Sequence, residues 1–258
     1  MSTRSGSFFA RISSGIMSMR MSPSLSAKVQ HKSHITKMIY LAAVARPRHN
    51  SSTNSSFDGK IGLYPFIGQH PAQHNSRNRA AGTTVTKAVE VTRDRYKAML
   101  IDRVIPDIKS RFPRPPASAD PEESIVFVQQ GNARPHLVLN DPGVTAAMTA
   151  DWCNIQLINQ PANRPDTNVL DLGFFNTIQS LQDRTNPKNI DELVNAVREA
   201  WVGGRPDTLN RVWLSLQVCL QEMMLAGGDN TYSLPHVGKG RLANAGALPW
   251  QLDCSQEA

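Results

Sequence analysis

Two short stretches hold most of the side chains able to do chemistry. The first is QQGNARPH, residues 129 to 136, directly after the apolar run Ile125-Val126-Phe127-Val128. Polar groups placed where a buried strand runs out are well positioned to act together. Asn132 and His136 are therefore candidates, while Gly131 leaves the first place beyond the two glutamines without a side chain. The second is NQPANRPDTNVLDLGFF, residues 159 to 175: a strand end, a Pro-punctuated turn and a helix beginning near Leu170. Asp171 falls in the first turn of that helix, with Asp166 and Asn168 in the turn before it.

A carboxylate in such a setting suggests metal-assisted chemistry, but a divalent cation needs several oxygen ligands and more than one carboxylate to hold it. On spacing alone Asp171 is an acid favoured by the helix dipole. Asp166 reads as a turn-stabilising Asx residue, His136 as a structural hydrogen-bonding residue, Asp141 as a helix cap and Asp151 as a solvated helix residue. His31-x-x-His34 has metal-ligand spacing and no further ligands beside it.

The elements that must position these residues are read from periodicity. Residues 38 to 44 and 61 to 67 are strands, antiparallel by the turn signal Asp58-Gly59 between them. Tyr96, Met99, Leu100, Val104 and Ile108 recur at helical spacing, so 92 to about 110 is an amphipathic helix bent or ended near Pro106. Phe112-Pro113-Arg114-Pro115-Pro116 is a stiff connector. The unbroken apolarity of 125 to 128 predicts burial on both faces. Asp141-Pro142 starts a helix through about Cys153, and 155 to 158 is a strand parallel to the previous one. Asn189 caps a helix with Asp191 and Glu192 in its first turn, and Leu209 to Met223 form another, ended by Gly227-Gly228. The class is α/β.

Composition narrows the partners. The chain has 258 residues and a formal net charge of +7, but no Asp or Glu precedes Asp58, and the basic excess belongs to the N-terminal arm. The body is nearly neutral and has no nucleic-acid footprint of its own. Three widely spaced cysteines, Cys153, Cys219 and Cys254, form no C-x-x-C pair and fit a reducing compartment. No apolar run reaches the roughly 18 residues of a membrane span. The Arg- and Ser-rich start offers mitochondrial targeting as an alternative to an unstructured arm.

The motifs together resemble a known family. QQ-x-NARPH after an apolar strand, N-Q-P-x-N-x-P-D-x-N-V-L-D-L-G-F-F after it, and KSHITK, LAAVARPR and FDGKIG-x-x-PF before it are similar to the DDE/D transposases of the mariner superfamily, plant-type branch. YSLPHVGKGRL, residues 232 to 242, also fits that branch. The resemblance implies an RNase H-like mixed sheet flanked by helices, in which three acids hold two magnesium ions that cleave and join DNA strands. It implies DNA as partner and the nucleus as location. The third acid maps onto Asp171. The second maps onto Gly131, and the 39 residues between the two positions are the spacing typical of the branch. Residues 1 to 30 contain no Asp or Glu for the first acid, and nothing matches the family's upstream DNA-binding region.

The sequence thus predicts a catalytically inactive relic of a transposase, with a domesticated nucleic-acid- or protein-binding module as the alternative reading. Asp171 alone is insufficient as a metal site, so no magnesium is expected to bind productively. Contact with nucleic acid is expected only as weak, non-specific binding through the basic arm. Residues 1 to 34 are expected to be a disordered arm, 35 to 183 an RNase H-like core without its first strand, and 184 to 258 a helical extension. Losing a central strand would expose unpaired edges, predicting a marginal or aggregation-prone protein. Part of residues 5 to 22, such as Phe8 to Ile12, is a candidate to fill the gap, although its pattern is poor.

Overall fold

The computed structural model describes residues 10–20, 37–50, 54–76, 79–112, 125–151, 154–229, 232–233, 237–249 and 252. The connector after Phe112, the pair His31 and His34, Cys153 and Cys254 lie outside these residues.

Five strands form the main sheet: β1 (Ala10–Arg20), β2 (Lys37–Ala45), β5 (Lys60–Pro65), β8 (Ile125–Gln130) and β9 (Asn154–Asn159). They lie in the order β5-β2-β1-β8-β9. β2 runs antiparallel to both β1 and β5, while β8 runs parallel to both β1 and β9. Two small hairpins, β3 (Arg48–Asn50) with β4 (Ser55–Phe57) and β6 (Ile67–Pro71) with β7 (Thr84–Ala88), stand apart from it. The predicted antiparallel pairing of the segments near 40 and 63 is present. The turn into β5 depends on Gly59, which has a φ of +85° and where an added Cβ would fall 2.5 Å from the Ala45 carbonyl oxygen.

β1 corrects the sequence reading of both the arm and the core. Ala10–Arg20 lies inside the stretch expected to be disordered, and it occupies the central place expected to be empty. Ile12 pairs with Ala45 on one side and Val128 on the other, and it is wholly buried. A strand bonded along both edges satisfies its backbone groups through its neighbours, so it needs less hydrophobic patterning of its own to be held. With that place filled, β2 and β8 do not present the open edges from which a marginal protein was expected.

Helices cover both faces. On one side lie α1 (Arg93–Met99) and α2 (Ile105–Arg111), joined by a π-helical turn at Leu100–Val104, and α3 (Pro142–Thr149). The π turn falls just before Pro106, which has no N–H to donate into the helix. On the other side lie α4 (Phe175–Gln182), α5 (Ile190–Gly203) and α6 (Pro206–Leu225); the short α7 (Lys239–Asn244) follows in the chain. Strand β2 shows how the layers meet. Leu41, Ala43 and Ala45 enter the core under α1 and α2, whereas Met38, Tyr40, Ala42 and Val44 pack with Leu193, Val197 and Leu209 of α5 and α6. This is the two-residue alternation of a strand with both faces covered.

On β8, Val126 and Val128 are buried while Ile125 and Phe127 are only half-buried. The expected burial of that strand on both faces is therefore complete on one face alone. Helix α3 ends at Thr149 and not near Cys153. No helix among the described residues is long and apolar enough to cross a membrane.

Candidate functional site

The C-terminal ends of β8 and β9 and the start of the helical segment at Leu170 meet at one place. The parallel register sets Gln130 beside Asn159, so the residues that follow, Gly131 and Gln160, leave the sheet side by side. The Gln160 N–H donates to the Gln130 carbonyl at 2.7 Å, and Asn132 Nδ2 donates to the Gln160 carbonyl at 2.8 Å. Gln160 Oε1 accepts from Asn168 Nδ2 at 3.2 Å. The Asn168 amide lies near enough to the Asp171 carboxyl to favour its charged form, and its Oδ1 accepts the Leu170 N–H at 3.0 Å. A Cβ on Gly131 would stand 3.7 Å from Gln160 Oε1. The fold therefore brings Gly131, Asn132, Asn168 and Asp171 into one connected cluster, although 39 residues separate the outer two in the chain.

Beneath the cluster the glutamines are buried. Gln129 Nε2 donates to the Thr167 carbonyl at 3.0 Å. Gln130 Nε2 donates to the Leu137 carbonyl at 2.7 Å and to Asn159 Oδ1 at 2.9 Å, and its Oε1 accepts from Tyr96 Oη at 3.3 Å. His136 is buried against the Tyr96 ring, with centroids 4.8 Å apart. Its Nδ1 meets the Gly131 carbonyl and the Ala133 N–H. Burial pulls the imidazole pKa below its ordinary value, opposed by the bond to Gly131. These contacts match the structural hydrogen-bonding role read for His136.

Asp171 is surface-exposed as a residue, yet the protein atoms crowding its carboxyl raise its pKa above the usual aspartate value, with the Asn168 bond acting the other way. Asp166 is placed differently from the reading of its sequence. Its carboxylate accepts from Tyr232 Oη, and the turn is fastened instead by Thr167 Oγ1 donating to the Arg164 carbonyl at 2.7 Å. Arg164 donates to the carbonyls of Gly228 and Asp229, which bring the chain beyond α6 against this turn. Asp141 caps α3 as expected, accepting from the N–H groups of Gly143 and Val144 and pairing with Lys97 Nζ at 2.8 Å. Asp151 lies beyond the helix, with φ of +64°, and pairs with Lys109 at 2.9 Å.

Gln160 links every part of the cluster, and residue type alone had not singled it out. The available signal was register: it follows the strand residue facing Gln130. Among the described residues, no three of His, Cys, Asp and Glu converge on a point that could hold a metal ion. The donor set around Asp171 is otherwise made of neutral amides, which are poorer ligands than carboxylates for magnesium. These residues do not fit a paired-ion centre.

Strand order, strand directions and the helices on both faces define an RNase H-like α/β domain. The catalytic domain of Mos1 mariner transposase superposes with a TM-score of 0.54 at 11% identity, over 86% of this chain and 84% of that one. A pre-cleavage Mos1 transpososome gives a TM-score of 0.56 at 11% identity, over 89% of this chain and 59% of the longer Mos1 chain. The same Mos1 domain with Raltegravir and Mg gives 0.53 at 11% identity, over 86% and 85%. At this identity the likeness establishes the fold. No protein-family model and no curated protein sequence matches the chain.

Proposed function

We propose that this chain is a mariner-type DDE/D transposase domain whose metal centre has decayed, leaving an RNase H-like scaffold without strand-transfer activity. One observation carries the reading: in a fold shared with a mariner transposase catalytic domain, Gly131 holds the motif position in the cluster that contains Asn168 and Asp171. Strand β1, where the family resemblance would put the remaining acid, reads ARISSGIMSMR and contains no carboxylate. In the family, two magnesium ions stabilise the charge that develops on the attacking and leaving oxygens. That clamping is worth several kcal/mol, and each ~1.4 kcal/mol is tenfold in rate. A single carboxylate among amides cannot hold the ions in place.

DNA is the partner class this reading implies, and the nucleus its location. The alternative, a domesticated nucleic-acid- or protein-binding module, draws on the basic excess before Asp58. Because β1 and β2 lie within that segment, its deletion would destroy the sheet and could not test binding. Salt dependence of DNA affinity in the full chain is the suitable measurement.

The test of inactivity is manganese titration followed by electron paramagnetic resonance, together with nicking of supercoiled DNA in magnesium or manganese. The wild-type chain and Asp171→Ala should give the same weak manganese uptake and no cleavage. A tight paired-ion signal, or cleavage that disappears in Asp171→Ala, refutes the proposal.

A further inference from the structure

Arg46 follows β2 directly and reaches across to α6. Its Nε donates to Asn210 Oδ1 at 3.3 Å and its Nη1 to Gln217 Oε1 at 3.1 Å. Both acceptors are neutral amides, and Nη2 is buried without a hydrogen-bond partner. Burial, and after it the charge of Arg48, pull the guanidinium pKa down to about 10, so the group keeps its charge at neutral pH. Arg48 lies over the Phe112 ring, 4.8 Å from its centroid, and adds a second cation. A half-buried guanidinium that meets only neutral groups and a like charge is costly to keep. Among the described residues no carboxylate pairs with either arginine. The acids nearest these contacts in the chain are engaged, Asp58 with Lys60 at 3.6 Å and Asp207 with Arg205 at 3.1 Å.

The chain brings an acidic segment to the same place. The Leu252 N–H donates to Gln217 Oε1 at 3.3 Å, the oxygen that also accepts from Arg46 Nη1, so one atom separates the Leu252 backbone from the guanidinium. The next residue in the sequence is Asp253, which lies outside the described residues. Beyond Arg241 there is no Lys or Arg, and the only charged residues are Asp253 and Glu257. We propose that the Arg46 guanidinium is a carboxylate-binding site, and that its occupant is Asp253 of the same chain. Nη2 is the donor left for that carboxylate, and a charge-assisted bond there supplies the anion that the two amides cannot. The pairing fastens the acidic segment across α6 and the end of β2, and it uses no residue of the Asp171 cluster.

The experiment follows the Arg46 Nε–H resonance of the full chain by heteronuclear NMR, with the signal assigned by its loss in Arg46→Lys. Asp253→Asn should shift that resonance and speed its exchange with water, whereas Glu257→Gln should leave it in place. Inorganic phosphate added to the wild type should not move it, because the site is already filled. A cycle of thermal melts gives a second measure. Asp253→Asn should lower the midpoint by about 2–4 °C in the wild-type background, the scale for one part-buried pair in a chain of this size, and should leave it unchanged in Arg46→Gln. If Arg46→Gln does not fold, the resonance decides. An Arg46 signal that Asp253→Asn leaves in place, melting shifts that simply add, or a wild-type signal that moves with phosphate overturns the proposal.

Discussion

Ile12→Ala is the most direct probe of the strand on which this architecture depends. Ile12 is wholly buried, between Ala45 and Val128 on the neighbouring strands. Removing three carbon groups forfeits roughly 0.8 kcal/mol of transfer free energy for each, and the cavity left in a packed sheet adds to this, placing the loss at about 2–5 kcal/mol. With a urea dependence of ~3 kcal/mol per molar, the unfolding midpoint should fall by about 1 M. The matched control is Val202→Ala, which trims a side chain that is 70% exposed and should stay within about 0.5 kcal/mol. Urea unfolding followed by far-ultraviolet circular dichroism gives both values, and amide exchange should show protection along residues 12 to 20. If Ile12→Ala moves the midpoint no further than Val202→Ala does, β1 is not the central strand and the order β5-β2-β1-β8-β9 is wrong.

Gly62→Ala should destabilise by about 1–3 kcal/mol through overpacking, because its Cβ would fall 2.0 Å from Tyr64 Oη, which Asp107 holds at 2.6 Å; a thermal melt checks this. Asn189→Ala should cost about 1 kcal/mol in the same assay, since Asn189 accepts the Glu192 N–H as the N-cap of α5. The Asp141 carboxyl is held below its ordinary pKa first by Lys97 and then by the Val144 N–H. Its contribution is therefore present above the unfolded value near 3.9 and is lost as pH falls through the folded one. Asp141→Asn should flatten that acid-side loss in a series of melts. Asp171 has the opposite sign, because its folded pKa is raised. Asp171→Asn should gain stability relative to wild type as pH rises through the folded value, by a small amount given the residue's exposure.

Several features were legible in the sequence because they are local. The cap at Asp141, the cap at Asn189 and the helical irregularity just before Pro106 depend on a few neighbouring residues and their own backbone chemistry. The antiparallel pairing of β2 with β5 was marked by the Asp58-Gly59 turn. Other features required distant parts of the chain. Asp166 could be read from sequence only as a turn residue, because the group it bonds, Tyr232, comes from beyond α6. Asp151 was placed on a helix that in fact ends before it, and its partner Lys109 belongs to α2.

The sequence by itself determined the α/β class, the motif residues and the absence of an acid at position 131, since residue identity and short-range periodicity suffice for these. Only the tertiary structure decided that Ala10–Arg20 is a strand, because its backbone bonds are supplied by segments about 25 and 115 residues away in the register of the sheet, and its own pattern is weak. The tertiary structure likewise made Gln160 the link between Gly131 and Asn168, and set the His136 ring against Tyr96. Those relations exist only once parallel strands end side by side and a helix start is packed against them.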